Sequence, residues 1–228
     1  MVTLHTPPAD ASAGATDPAT LPPVPEIETT PGAALERMRL EAMGERTALE
    51  AAPRMLALLG PSLDLEAYWE ILARFYGFYR GMEPWLAQAV EECAVPLSMG
   101  KRWRSPVIEQ DLLALGTAHD GVVNLPVCPA PPIPPTLPDG LGMLYVFEIL
   151  ARSMPVVGRH LARTLRVQAT GGAAYFAGYG PESVRLWRIY GDVAQKALTQ
   201  DADQKSAVLS ARNTYLALER WLSLRNPR

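Results

Sequence analysis

Few residues in this chain carry the types and spacings that chemistry needs. Its three histidines are His5, His119 and His160. None has a partner three or four residues away that would put two ligands on one helical face. No HExxH or ExxH element occurs either, so a metal centre of that kind is not expected. Glu91 and Glu92 are adjacent carboxylates, but neighbours on a helix point apart and do not form an acid–base pair. Cys93 and Cys128 are distant and form no CxxC unit. Two reduced thiols is the simpler reading, and one structural disulfide is the alternative. Gly171-Gly172 and Gly178-x-Gly180 read as helix-end and turn glycines, since no strand precedes them to make a phosphate loop. What remains is a fixed cation, Arg46, with Glu50 one helical turn on. By itself that spacing is an ordinary surface ion pair.

The elements that position these groups are helical. Ala33–Ala51 is charged and amphipathic. Leu65–Arg80 repeats apolar residues at three- and four-residue spacing. Pro84–Glu92 is expected as a separate helix after a break at Gly81. Ser105–Leu115 opens on Ser105-Pro106, a helix-start pair. Gly140–Leu165 is long and apolar, and Pro155 within it should kink or split it. Pro181–Leu198 and Ala202–Leu224 complete a bundle of about seven helices. No period-two alternation appears, so strands are not expected. The aromatic series Trp69, Phe75, Tyr76, Phe78 and Tyr79 reads as core, as do Trp187, Tyr190, Tyr215 and Trp221.

Residues 1–32, rich in Pro, Ala, Thr and Asp, are expected to be a disordered tail without a basic-then-apolar leader. Residues 33–228 form one domain. The Pro-rich run Val127–Pro138 is expected as a stiff extended connector, with an SH3-like docking ligand as the alternative. Of the 228 residues, 48% are hydrophobic and 20% charged, enough apolar mass for a single core. The net charge of −3, with no clustered basic run, argues against nucleic acid as a partner. No unbroken run of 18 apolar residues predicts a membrane span, and the cytosol is the expected location.

Four ordered stretches carry a family resemblance. They are Tyr68-x6-Phe75-Tyr76-Gly77-Phe78-Tyr79, Arg104-Ser-Pro-x4-Asp111-Leu-x2-Leu115-Gly116, Leu141-Gly-Met-Leu-Tyr145-Val-Phe-Glu148, and Tyr175-Phe-x-Gly178-Tyr179-Gly180-x6-Trp187. Ala217-Leu-Glu-Arg-Trp221-Leu follows them. Together, over residues 35 to 224, the series resembles the bacterial biliverdin-producing heme oxygenases, particularly the group associated with bacterial phytochromes. The resemblance implies an all-α heme-oxygenase-like single-domain bundle, with heme sandwiched between a proximal and a distal helix.

The same resemblance implies a changed site. The family's first helix carries a pattern close to L-R-x-x-T-x-x-x-H-x-x-L-E, whose histidine ligates the iron. Arg39 and Leu49-Glu50 set the register here, so Arg46 falls on the ligand position. A guanidinium stays protonated and has no lone pair to give. On the distal helix the family continues G-S-x-L-G-G after L-Y-V-L-E. Here Ile149 takes the first glycine, and Ser153 and Met154 take the glycine pair that lets the backbone approach the heme. The pocket positions implied are thus Arg46, Met43, Glu148, Ser153 and Met154. No catalytic residue, metal ligand or cofactor is expected, and the reading is a binding or regulatory protein for a tetrapyrrole, another anionic small molecule or a protein partner. The alternative is an active heme oxygenase, turning heme into biliverdin, CO and iron, with Met43 or His160 as a substitute ligand.

Overall fold

A computed structural model describes residues 32–91 and 97–224. Among them are nine α-helices: α1 Ala33–Glu41, α2 Met43–Glu50, α3 Pro53–Ala57, α4 Leu65–Glu91, α5 Ser105–Ala114, α6 His119–Val123, α7 Leu137–Thr164, α8 Ser183–Ala197 and α9 Asp201–Ser223. No strand occurs among the described residues, only isolated bridges from Gln168 to Gly171 and Gly172. His5, Glu92 and Cys93 fall outside the described residues, as does the expected tail up to residue 31. Cys128 is a free thiol.

α7 runs through the centre and packs on α9, α4 and α8, while α1 and α2 lie along α9. It begins where Thr136 accepts a hydrogen bond from the Asp139 amide, with Pro138 in the first turn. Leu141 to Ala151 is buried on every side, which explains why the run is apolar all round rather than striped. α7 is also long and apolar enough to cross a membrane, but 83% of its most apolar stretch is buried inside the protein. The core beside it is aromatic. Phe75, Phe78 and Tyr79 of α4 meet Phe147, Tyr175 and Phe176 with ring centroids 4.7–6.3 Å apart, a range suited to tilted and edge-to-face packing.

Nine α-helices stand among the described residues where about seven were expected, with the short α3 and α6 not foreseen, and three helix boundaries also differ. The first helix bends at Ala42 (φ −101°, ψ 9°), giving α1 and α2. Gly44 follows two residues on, with no side chain and nothing for one to touch, so little holds a straight helix there. Gly81 does not end a helix. α4 continues through it and through Pro84 to Glu91, because Gly77 and Gly81 are contact glycines: a Cβ on Gly77 would stand 2.1 Å from the Pro126 carbonyl oxygen, and one on Gly81 3.2 Å from that of Cys128. They let the Pro-rich connector lie directly on α4, where the Cys128 amide donates to the Gly77 carbonyl at 3.1 Å. Pro155, finally, does not split α7. Its ring leaves the Ala151 carbonyl without an amide donor, and the backbone of Gly178 covers that oxygen so closely that a Cβ would approach to 2.1 Å. Gly178 has φ +64°, a conformation glycine adopts without strain.

The segment after α7 is held by buried acceptors. Asp111 of α5 receives the Ala174 and Tyr175 amides, each at 2.7 Å, and Arg104 donates to the Tyr175 carbonyl at 3.0 Å. Burial raises the pKa of Asp111, while the two amides and Arg104 pull it back. Asp111→Ala strands two amides, one of them buried, and should cost about 2–4 kcal/mol at roughly 1–3 per unsatisfied group. Urea unfolding measures this directly, and a loss below about 0.5 kcal/mol would mean that water replaces the carboxylate.

Candidate functional site between the first helices and the central helix

Arg46 projects from α2, half-buried, and donates through Nε to Glu50 Oε1 at 2.8 Å. The pairing is thus the one its spacing predicts, but the surroundings are not those of a surface arginine. Burial acts against its charge. The hydrogen bond and charge of Glu50, then Tyr215 of α9 and Tyr145 of α7, outweigh that and hold the pKa above the ordinary arginine value. Tyr145 and Tyr215 are each nearly inaccessible. Burial pushes Tyr145 up to about 12, opposed first by Arg46 and Arg39. The Tyr215 hydroxyl is buried and has no hydrogen-bond partner among the described residues. Such groups in proteins are nearly always satisfied by protein, water or ligand.

One turn beyond Glu148 on α7, Arg152 lies with its guanidinium 4.6 Å from the centre of the Trp187 ring of α8. Burial lowers its pKa, against the attraction of Glu148 and Tyr145. Trp187 in turn lies 6.4 Å from Tyr145 and 5.7 Å from Tyr190. Arg39, Arg46 and Arg152 therefore surround Tyr145 with positive charge, tempered by Glu36 and Glu50.

The other positions named from the sequence separate into distinct settings. Met43 is 52% exposed at the start of α2. Ser153 is buried and its hydroxyl donates to the Leu150 carbonyl at 3.1 Å, while Met154 is wholly buried in the main apolar core. Glu148 is completely inaccessible and paired with Arg102, also completely inaccessible. Arg102 further donates to the Leu97 carbonyl at 2.6 Å and to the Leu186 carbonyl at 2.9 Å. The Tyr179 hydroxyl faces Glu148 and, with Arg102, favours its charged form against burial. His119 is exposed beside Glu109. His160 is partly buried on α7, and its Nε2 is shielded from solvent without a described partner. No group of three or more metal-ligating side chains occurs among the described residues.

Sequence reasoning missed Tyr145, Tyr215 and Arg152 as neighbours of Arg46, and missed Arg102 altogether. Within Lys101-Arg102-Trp103-Arg104 nothing in the spacing marks Arg102 and Arg104 as buried, and only Trp103 between them hints at it.

Helix order and packing find matches among solved structures. Heme oxygenase from Leptospira interrogans superposes with a TM-score of 0.68 at 15% identity, covering 84% of this chain and 98% of that one. The fold is that of the heme oxygenases. The NO- and CO-bound heme oxygenase of Neisseria meningitidis gives 0.65 at 18% identity over 86% and 94% of the two chains. Heme oxygenase 2 of Chlamydomonas reinhardtii, solved without heme, gives 0.65 at 16% over 87% and 99%. No protein-family model matches the sequence, and no curated protein does. The heme-oxygenase fold is thus shared across nearly the whole length of these proteins, at identities that speak for fold alone.

Proposed function

We propose that this chain uses a heme-oxygenase fold to hold a tetrapyrrole, or another carboxylate-bearing molecule, at Arg46, and that it acts as a binding or regulatory protein rather than through histidine-ligated heme chemistry. The observation that carries the reading is the half-buried Arg46, within electrostatic reach of Tyr145 and Tyr215, with the Tyr215 hydroxyl unpartnered among the described residues. A guanidinium and a phenolic O–H are both donors, so together they suit a carboxylate oxygen. Arg152 on the Trp187 ring adds a second cation and an aromatic face.

Heme is the group the fold implies, and the residues at the proximal place do not fit it as ligands. Arg46 has no lone pair for iron and its Nε is engaged by Glu50. A cytosolic setting and a phytochrome-type partner extend the same proposal through the sequence resemblance. The second reading is an active heme oxygenase with a substitute ligand. His160 favours it, because its shielded Nε2 is unpartnered and it lies two turns along the Ser153 face of α7.

Biliverdin titration followed by absorbance tests the proposal. Saturable binding is expected, weakened about tenfold or more in Arg46→Ala through loss of a charge-assisted hydrogen bond. Folding stability should change by less than about 1 kcal/mol, since the Arg46–Glu50 pair is a partly exposed neighbour pair. Absent or non-saturating biliverdin binding sinks the proposal. A sharp Soret band with hemin that bleaches to a bilin on reduction establishes the second reading instead, and His160→Ala should then abolish it.

A further inference from the structure

The Pro-rich connector does more than join α6 to α7. It stands off α9 to leave a cleft of about 400 Å³, within the size range of small-molecule sites. One wall is Pro131 and Pro132, whose rings fix the backbone. The other is α9, through Leu216, Ala217, Arg220 and Trp221, with Leu224 just past its end. The connector's start is seated on α4, where Pro126 to Cys128 meet Gly77 and Gly81, and the proline rings stiffen the stretch that follows.

Its electrostatics select a sign. Arg220 is exposed and has no hydrogen bond or ion pair among the described residues. Behind the wall, Arg74 lies 4.7 Å from the Trp221 ring centre and Arg54 donates to the Leu222 carbonyl. Glu219 is the acidic neighbour on α9, and it accepts from Ser223 at 3.1 Å. The balance is positive, with one cation available at the mouth. The C-terminal end of α9 carries a partial negative charge, which disfavours a dianion such as phosphate. One guanidinium over a flat apolar slot matches a monoanion on a flat apolar body.

We infer that the cleft between the proline connector and α9 is a second binding site, taking a small aromatic carboxylate whose ring lies between Pro131–Pro132 and Leu216–Trp221 and whose carboxylate meets Arg220. It shares no residue with the Arg46 region and does not depend on the function proposed there.

The probe is 2-naphthoate, with uncharged 2-naphthamide as its match, titrated into the 15N-labelled full chain. Amide shifts are expected at Cys128, Ala130 and residues 213–224, with 2-naphthoate binding about tenfold or more tighter than the amide, as a charge-assisted contact implies. Arg220→Gln should erase that difference while leaving 2-naphthamide binding unchanged, and Arg46→Ala should leave both unchanged. Ala217→Phe, which fills the slot, should abolish both. Equal affinities of the two probes for the unaltered chain, shifts centred elsewhere, or no saturation at millimolar probe each overturn the inference. Arg220→Gln sits on an exposed position, so its result stands even where Ala217→Phe fails to fold.

Discussion

Arg102→Met is expected to lower folding stability by about 3–5 kcal/mol, the usual consequence of removing one partner from a buried ion pair. Arg102 and Glu148 are both 0% exposed, so neither water nor a surface rotamer can replace the lost charge. The Leu97 and Leu186 carbonyls lose their donors in the same substitution. The double variant Arg102→Met with Glu148→Leu should recover a large part of the loss, because it leaves no stranded charge. Chemical denaturation of the four proteins of that cycle measures the coupling. A double variant no better than the sum of the singles would show that the carbonyl contacts, and not the ion pair, dominate.

The same cycle has a pH signature. Burial raises the pKa of Glu148, and Arg102 is the main opposing attraction. Removing Arg102 moves it further up. A carboxyl with a raised folded pKa binds its proton more tightly when folded. Its stabilising contribution is complete below the unfolded value and is lost as pH rises through the folded one. Stability of Arg102→Met should therefore fall with rising pH above the ordinary carboxylate range, more steeply than in the parent. A pH-independent difference between the two would contradict this.

Gly142→Ala is expected to cost about 3 kcal/mol, at the upper end of what overpacking usually costs. A Cβ on Gly142 of α7 would lie 2.0 Å from the Ala207 carbonyl oxygen and 2.8 Å from its carbon. Both are backbone of α9, so no side chain can swing aside, and the two longest-packed helices must separate. On helix propensity alone alanine would gain about 1 kcal/mol, so the direction of the effect is diagnostic. Gly44→Ala is the control. Nothing lies within 4 Å of the added carbon there, and a gain of up to about 1 kcal/mol is expected. Thermal denaturation of both variants decides it: two stabilised proteins would mean that α7 and α9 do not approach as described.

Much of the fold was legible because helical burial writes a period into the chain. Leu65–Arg80 repeats apolar residues on one face, and that face became the α4 core around Phe75, Phe78 and Tyr79. Ser105-Pro106 marked a helix start by local chemistry alone, whereas the Thr136 cap that starts α7 three residues before the expected Gly140 emerged only from the structure. The lack of a two-ligand histidine face was likewise a matter of spacing, as was the Arg46–Glu50 pair. These are interactions between residues close in sequence, so the sequence by itself determined them.

Only the tertiary structure decided the roles of Gly77, Gly81 and Pro155. Each is a breaker by local propensity, yet α4 and α7 run through them, because a distant backbone occupies the space or covers the carbonyl that each exposes. Arg102 drew no notice in the sequence, yet it is fully buried among the described residues, with partners 46 and 84 residues away. The Arg46–Glu50 pair follows from spacing, but the influence of Tyr145 and Tyr215 on Arg46 depends on how α2, α7 and α9 pack. Burial and partnership across such separations come from three-dimensional packing, which no local spacing encodes.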